Sequence, residues 1–364
     1  MKKLILTILI FTAFSPVCMC MDEVSENMLS YYDFTEVQKN SGGFDFLAAV
    51  KRILNGEQSF DIPETMKELK NRIVGQTAGS LKTLSVIFAA ALLCALSENI
   101  SDSFKASENA RLFIFLAVIA IYGTKILLEC VADTKTALDS MLLLTNSVYP
   151  IMLTYIAAGG GACTSAALHP VLLVCGSSII LAVKSLLIPA FSAGLALKTA
   201  DLFSSDMHAG RISDLIGGFV KWAMGIMMTI FVGAVTITGV TAKTFDSITI
   251  RTAKYAIGSF IPMVGGVISD SFDLILNGSA VIKSSVGIAG LIGILYIAVT
   301  PCIKLAATAL AFNICSAVCE PVCGKKLSDA IGMFGKAALT LFGITCAAAS
   351  MFILSIGVLT GLKA

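Results

Sequence analysis

Between residues 78 and 360 the sequence passes through eight apolar windows, near 78–96, 111–128, 148–163, 169–193, 219–240, 257–276, 284–312 and 337–360. An α-helix needs about 20 apolar residues to cross a ~30 Å hydrocarbon core, and most of these windows approach that length. Composition agrees: 56% of the 364 residues are hydrophobic and 14% are charged, roughly half the charged share of a soluble domain. Too little polar surface is available to cover a water-soluble core, so a soluble enzyme is excluded. The sequence predicts an all-α, polytopic helical membrane protein with about eight membrane segments. Three windows are flawed as simple spans: 148–163 is short, 257–276 carries Asp270 and Asp273, and 284–312 contains Pro301. Such flaws point to broken or re-entrant helices packed inside a bundle.

The charges gather at the front, where the first 82 residues hold 19 of the 50. Met1-Lys2-Lys3, the apolar run Leu4–Phe14, Ser15-Pro16 and the small Cys18 and Cys20 have the three-part layout of an export signal, too short to span a bilayer comfortably. Residues 1–20 therefore read as a signal peptide, with cleavage after Cys20. An uncleaved first transmembrane helix is the alternative. Residues 21–77, with 10 acidic and 6 basic groups, read as an extracytoplasmic amphipathic segment. Phe46, Leu47, Val50, Ile53 and Leu54 mark one helical face in it, and Met66, Leu69, Ile73 and Val74 another. At this length it is a docking or plug element rather than an independent domain. Residues 78–364 form the polytopic membrane domain.

Four landmarks recur in the same order at nearly one spacing: Asp139-Ser140 with Asp246-Ser247, Pro150 with Pro262, Pro189 with Pro301, and Ser213-Asp214 with Ser328-Asp329. They suggest an internal duplication of units 111–210 and 219–325, with the four prolines as helix-breaking landmarks. Three spans per copy would make the copies inverted in the membrane. The same count puts loops 241–256 and 313–336, both net positive, on the cytoplasmic side.

Lys125, Lys184 and Lys304 sit in or near apolar runs, where an unpaired charge costs about 2.5–3.5 kcal/mol. Snorkelling to an interface suits Lys125 and Lys304. Lys184 is harder to place that way and is the stronger candidate for a polar path between helices. Arg251 and Lys254, three apart beside an apolar face, suit an interfacial helix on anionic lipid or an acidic partner, or a plain topology anchor. Asp270 and Asp273 are also three apart, with Lys283 ten residues further on. Intrahelical pairing or a Ser269 cap is the simple account of them, and an ion or proton relay the functional one.

Cys315, Cys319 and Cys323 share a helix face, but the only histidines, His169 and His208, are remote. Apolar packing explains the thiols better than a metal does. Gly287, Gly290 and Gly293 allow close helix crossing. No GxxxxGK[ST] loop occurs, and two histidines cannot supply a hydrolytic triad. The sequence thus calls for no cofactor, no metal and no catalytic residue. A net charge of +2 and the lack of a long basic tract argue against nucleic acid.

A series of segments carries a further likeness: Lys221-Trp222-Ala223-Met224-Gly225, Thr229-Ile230-Phe231, Thr249-Ile250-Arg251-Thr252-Ala253-Lys254, Phe260-Ile261-Pro262-Met263-Val264-Gly265-Gly266, Ser269-Asp270-Ser271-Phe272-Asp273-Leu274 and Ile282-Lys283. In this order they resemble the stage III sporulation protein AE family of endospore-forming bacteria, most strongly over about 213–304 and more broadly from 44 to the C-terminus. The resemblance implies a multi-pass component in the mother-cell membrane around the forespore. It would join other stage III sporulation membrane proteins of its operon, and a forespore-side partner, in a channel or secretion-like complex. That complex supports late forespore development and the activity of the forespore sigma factor G. The family offers no catalytic residues to carry over. The alternative reading from the residues is a stand-alone secondary transporter of a small solute, working through Lys184, Asp270 and Asp273.

Overall fold

The computed structural model describes residues 35–40, 43–54, 108–203, 209–260 and 265–361, with isolated helical positions at 75, 85–86 and 88–89. The side chains of 247–260 and 265–277 lie outside the described set, as do the leader 1–20 and most of window 78–96. The elements are α1 (Thr35–Asn40), α2 (Phe46–Leu54), α3 (Glu108–Ala158), α4 (Ala162–Ala182), a π-helical turn (Val183–Leu187), α5 (Ile188–Asp201), α6 (Ala209–Phe260), α7 (Gly265–Cys323) and α8 (Lys325–Gly361). All regular structure among the described residues is helical.

Five helices among the described residues are long and apolar enough to cross a membrane, where the sequence predicts about eight: Leu112–Ala158, Ala162–Asp201, Gly210–Gly239, Gly278–Pro321 and Lys325–Gly361. One segment of the difference arises in α3, and windows 78–96 and 257–276 lie wholly or largely outside the residues whose side chains are described. Windows 111–128 and 148–163 belong to one 51-residue helix, because the polar stretch between them, Glu129–Ser140, holds no Gly or Pro. Charge alone does not interrupt the i→i−4 backbone ladder. Pro150 and Pro301 also lie inside unbroken helices. Pro189 follows the π-helical turn, where the Ile188 N–H reaches back to the Val183 carbonyl. The wider turn accommodates a ring that would crowd the carbonyl four residues before it. Pro262 lies outside the described residues.

Two breaks are made by glycines. Gly159-Gly160-Gly161 ends α3, with Gly160 at φ 87° and the Gly161 N–H on the Ile156 carbonyl at 2.8 Å. A Cβ at Gly161 would come within 2.6 Å of Ile156 Cγ2. Gly324, at φ 76°, alone turns α7 into α8.

Contacts fix the directions. Against α3, α7 runs antiparallel: Asp133 meets Lys304, and positions Gly293 and Gly287 face Leu144 and Met152. α8 runs parallel to α3, with Gly123 against Phe334, Thr134 beside Thr345, and the Tyr149 hydroxyl donating to Ser355 Oγ at 2.6 Å. The Gly287/Gly290/Gly293 stripe lets α7 approach both: a Cβ at Gly290 would stand 3.2 Å from Ile356 and 3.4 Å from Val148. α3, α7 and α8 form the tight core, and α4–α5 and α6 make a second, antiparallel pair packed beside it. The five long helices alternate up and down.

This connectivity bears on two expectations. Among the described residues, units 111–210 and 219–325 each contain two long helices, α3 with α4–α5 and α6 with α7, so three spans per copy are not seen there and the inverted arrangement finds no support. Loops 241–256 and 313–336 fall at opposite ends of the bundle, because α6 and α7 each run the full distance between them. One pair of landmarks does share a role. Ser213 Oγ donates to the Gly194 carbonyl at 2.7 Å and Ser328 Oγ to the Ser316 carbonyl at 2.9 Å, each tying a helix start to the helix before it.

The amphipathic α2 is part of this bundle. Phe46, Ala49 and Val50 are buried, α2 packs on α7, and the Phe44 ring lies 5.9 Å from that of Tyr296. Gln38 of α1 secures the entry, its Oε1 accepting the Phe46 N–H at 2.9 Å.

Candidate functional site: a belt of paired charges

The polar stretch in the middle of α3 joins three other helices to it. Asp133 accepts from Lys304 of α7 at 2.5 Å. Asp139 holds the Lys184 ammonium with both oxygens, at 2.6 and 2.7 Å. Between them, Thr134 Oγ1 stands 3.4 Å from Thr345 Oγ1 of α8, both fully buried. Six residues advance about 600° around a helix of 3.6 residues per turn. Asp133 and Asp139 therefore leave α3 on different sides, one toward α7 and the other toward α4. The belt occupies about 9 Å of a helix about 76 Å long, near its midpoint.

Pairing is what makes these charges tolerable in an apolar bundle. Lys304 has a side chain 10% exposed and that of its carboxylate is 36% exposed; Lys184 and Asp139 are at 33% and 46%. The first pair is an interior tie and the second lies toward the bundle surface. Lys184 belongs to the π-helical turn, whose extra residue per turn redirects side chains.

The other residues singled out from sequence are scattered. Lys283 is 4% exposed on α7, about 32 Å along the helix from Lys304, and stands apart from the belt. The side chains of Arg251, Lys254, Asp270 and Asp273 lie outside the described residues. Lys125 sits on the wall of an apolar groove between α3 and the end of α5, beside Phe113, Ile121 and Phe203. Cys315 and Cys319 are buried 4.0 Å apart within α7. Among the described residues no three His, Cys, Asp or Glu side chains gather as metal ligands would.

Sequence reasoning overlooked three carboxylates. Asp133 and Asp139 were available as partners, since each intramembrane lysine demands one, but their stretch reads as an interhelical loop. Asp139 was visible only as a repeat landmark, and so was Asp246. Asp246 is 5% exposed and accepts the N–H groups of Cys163 and Thr164, both at 2.8 Å. Gly161, the residue before α4, has no side chain to cap that helix, so a carboxylate from α6 satisfies two of its first donors.

The family model described as stage III sporulation protein AE matches residues 44–362. The chain belongs to this family. The match begins at Phe44, the ring that packs against α7, and ends one residue beyond α8. A curated relative, stage III sporulation protein AE of Bacillus subtilis (strain 168), is 23% identical over 316 residues, covering 85% of this chain and 78% of the relative. No solved structure matches the chain. Its place is thus in a sporulation family, and the belt is a feature of this member's bundle of apolar helices long enough to cross a membrane.

Proposed function

We propose that this chain is a non-enzymatic, multi-pass subunit of a channel or secretion-like complex between mother cell and forespore. In this reading it resides in the mother-cell membrane around the forespore, with residues 21–77 outside the cytoplasm once the leader is cleaved. It assembles there with other stage III sporulation membrane proteins and a forespore-side partner. The observation that carries the reading is the family match over 44–362. Two features of the bundle favour a scaffold over a carrier. Helices of 37 to 59 residues run about 55–88 Å, far beyond a ~30 Å bilayer core, which leaves long helical surfaces for neighbours. Lys184, the residue most suggestive of a transport path, is fully engaged by Asp139.

Deleting the gene should arrest sporulation after engulfment, and affinity purification from sporulating cells should recover partner membrane proteins. Heat-resistant spores from the deletion strain would defeat the assignment. Gradient-driven solute uptake by the purified chain alone in liposomes would favour the transporter instead.

A further inference from the structure

The second polar concentration lies at the end of the bundle where α5 turns into α6. Lys198 of α5, Lys221 of α6 and Lys336 of α8 line one cavity of about 290 Å³, together with a single carboxylate, Asp214. Asp214 is committed to Lys198, whose Nζ lies 2.5 Å from its Oδ1. Lys221 and Lys336 have no carboxylate partner among the described residues. Three ammonium groups and one carboxylate leave this cavity at a formal +2, in a chain where only 14% of residues are charged.

The cavity is built rather than left by loose packing. The Ser213 hydroxyl clamps α6 to the Gly194 carbonyl of α5 at 2.7 Å, and a Cβ at Gly194 would stand 3.3 Å from Ile216. The floor on α6 is Gly217-Gly218, where an added Cβ would meet nothing within 4 Å. Glycine is a poor helix former, and no packing neighbour here requires it. What the pair does is keep bare backbone and open space beneath the lysines. Phe191, Leu195 and Met333 supply apolar walls.

We infer that this cavity binds a phosphate-bearing anion, with the lysines as its counter-charges. Each ammonium offers three donors to phosphate oxygens. The volume is at the small end of ligand pockets, about 300–1,000 Å³, which suits a headgroup or a small phosphate but not a whole lipid. The apolar walls favour the phosphate of an anionic phospholipid, its acyl chains leaving along the bundle surface. The inference goes beyond the channel reading and stands or falls without it.

Trp222, the only tryptophan, is exposed beside Lys221 and reports on the site. The full-length protein is reconstituted in phosphatidylcholine vesicles containing a small fraction of brominated phosphatidylglycerol or, in parallel, brominated phosphatidylcholine. Preferential quenching by the anionic lipid is expected. With roughly a fivefold effect per lysine near an anionic headgroup, the preference should fall about 25-fold in Lys221→Gln/Lys336→Gln. Gly217→Leu keeps every charge and fills the floor, and should lower the preference as well. Each variant is first shown to elute and melt as the parent does. Inorganic phosphate identifies the source: a lipid site loses little quenching at millimolar phosphate, whereas a soluble-phosphate site shows phosphate-dependent thermal stabilisation that the double variant lacks. Neither lipid preference nor phosphate stabilisation in the parent, or either one undiminished in both variants, overturns the inference. So does capture of an acidic protein through these lysines with no effect of lipid or phosphate.

Discussion

The Asp133–Lys304 pair predicts an asymmetry between its two halves. Asp133→Asn leaves an ammonium that is nine-tenths buried with no counter-charge, a loss of about 3–5 kcal/mol for a buried pair. Lys304→Met leaves a carboxylate whose side chain is 36% exposed. Water or headgroups reach it, and screening reduces the cost to about 1–2 kcal/mol. Met also follows much of the lysine stem through the apolar packing around residue 304. The double variant, with no net charge to strand, should return to within about 1 kcal/mol of the parent. The coupling energy, the sum of the single effects less that of the double, is then about 3–6 kcal/mol. Reversible unfolding in mixed micelles with increasing denaturing detergent measures all four corners of the cycle. If the single variants are equally stable and their effects add in the double, the ion pair contributes nothing and the account of the belt is wrong.

Further outcomes follow from other contacts. Asp246→Ala should cost about 1–2 kcal/mol, the worth of a helix cap, and speed amide exchange at Cys163 and Thr164 while the core of α7 stays protected. Gly293→Leu forces a side chain where even a Cβ lies 2.9 Å from Leu144. Overpacking of about 1–3 kcal/mol is expected, while the same change at Gly217, in open space, should leave thermal stability nearly unchanged. If α7 crosses the membrane once, cysteines introduced at Gly160 and Lys326 in an otherwise thiol-free chain should react with impermeant reagents from opposite sides. Labelling of both from one side would refute the alternating order of the five helices.

Much of the class was legible in residue order alone. Hydropathy is a local sum, so the apolar windows and scarce charges marked a helical membrane chain without any partner being known. The family was legible too, since motif order from Lys221 to Lys283 survives as a string. The Gly287/Gly290/Gly293 stripe was read as a crossing surface, and α7 does meet α3 and α8 there. Span count was less accessible. The segment Glu129–Ser140 is polar enough to look like a loop, yet its backbone bonds are satisfied within α3, and side chains only decide where they point. Pro150 and Pro301 looked like breaks for a related reason: a missing N–H costs one bond, which a long packed helix can absorb.

Tertiary structure alone decided the partnerships. Lys184 and Lys304 were suspicious as isolated charges, but whether they lined a path or closed a tie depended on the register of α4 and α7 against α3, which no local pattern encodes. The same holds for Asp246, which caps a helix 82 residues before it, and for Lys198, Lys221 and Lys336, drawn from three helices into one cavity. A sequence fixes the period of each helix and hence its apolar faces. The rotation and sliding of one helix against another come from the packing of all five at once, and those two quantities determine which charges meet.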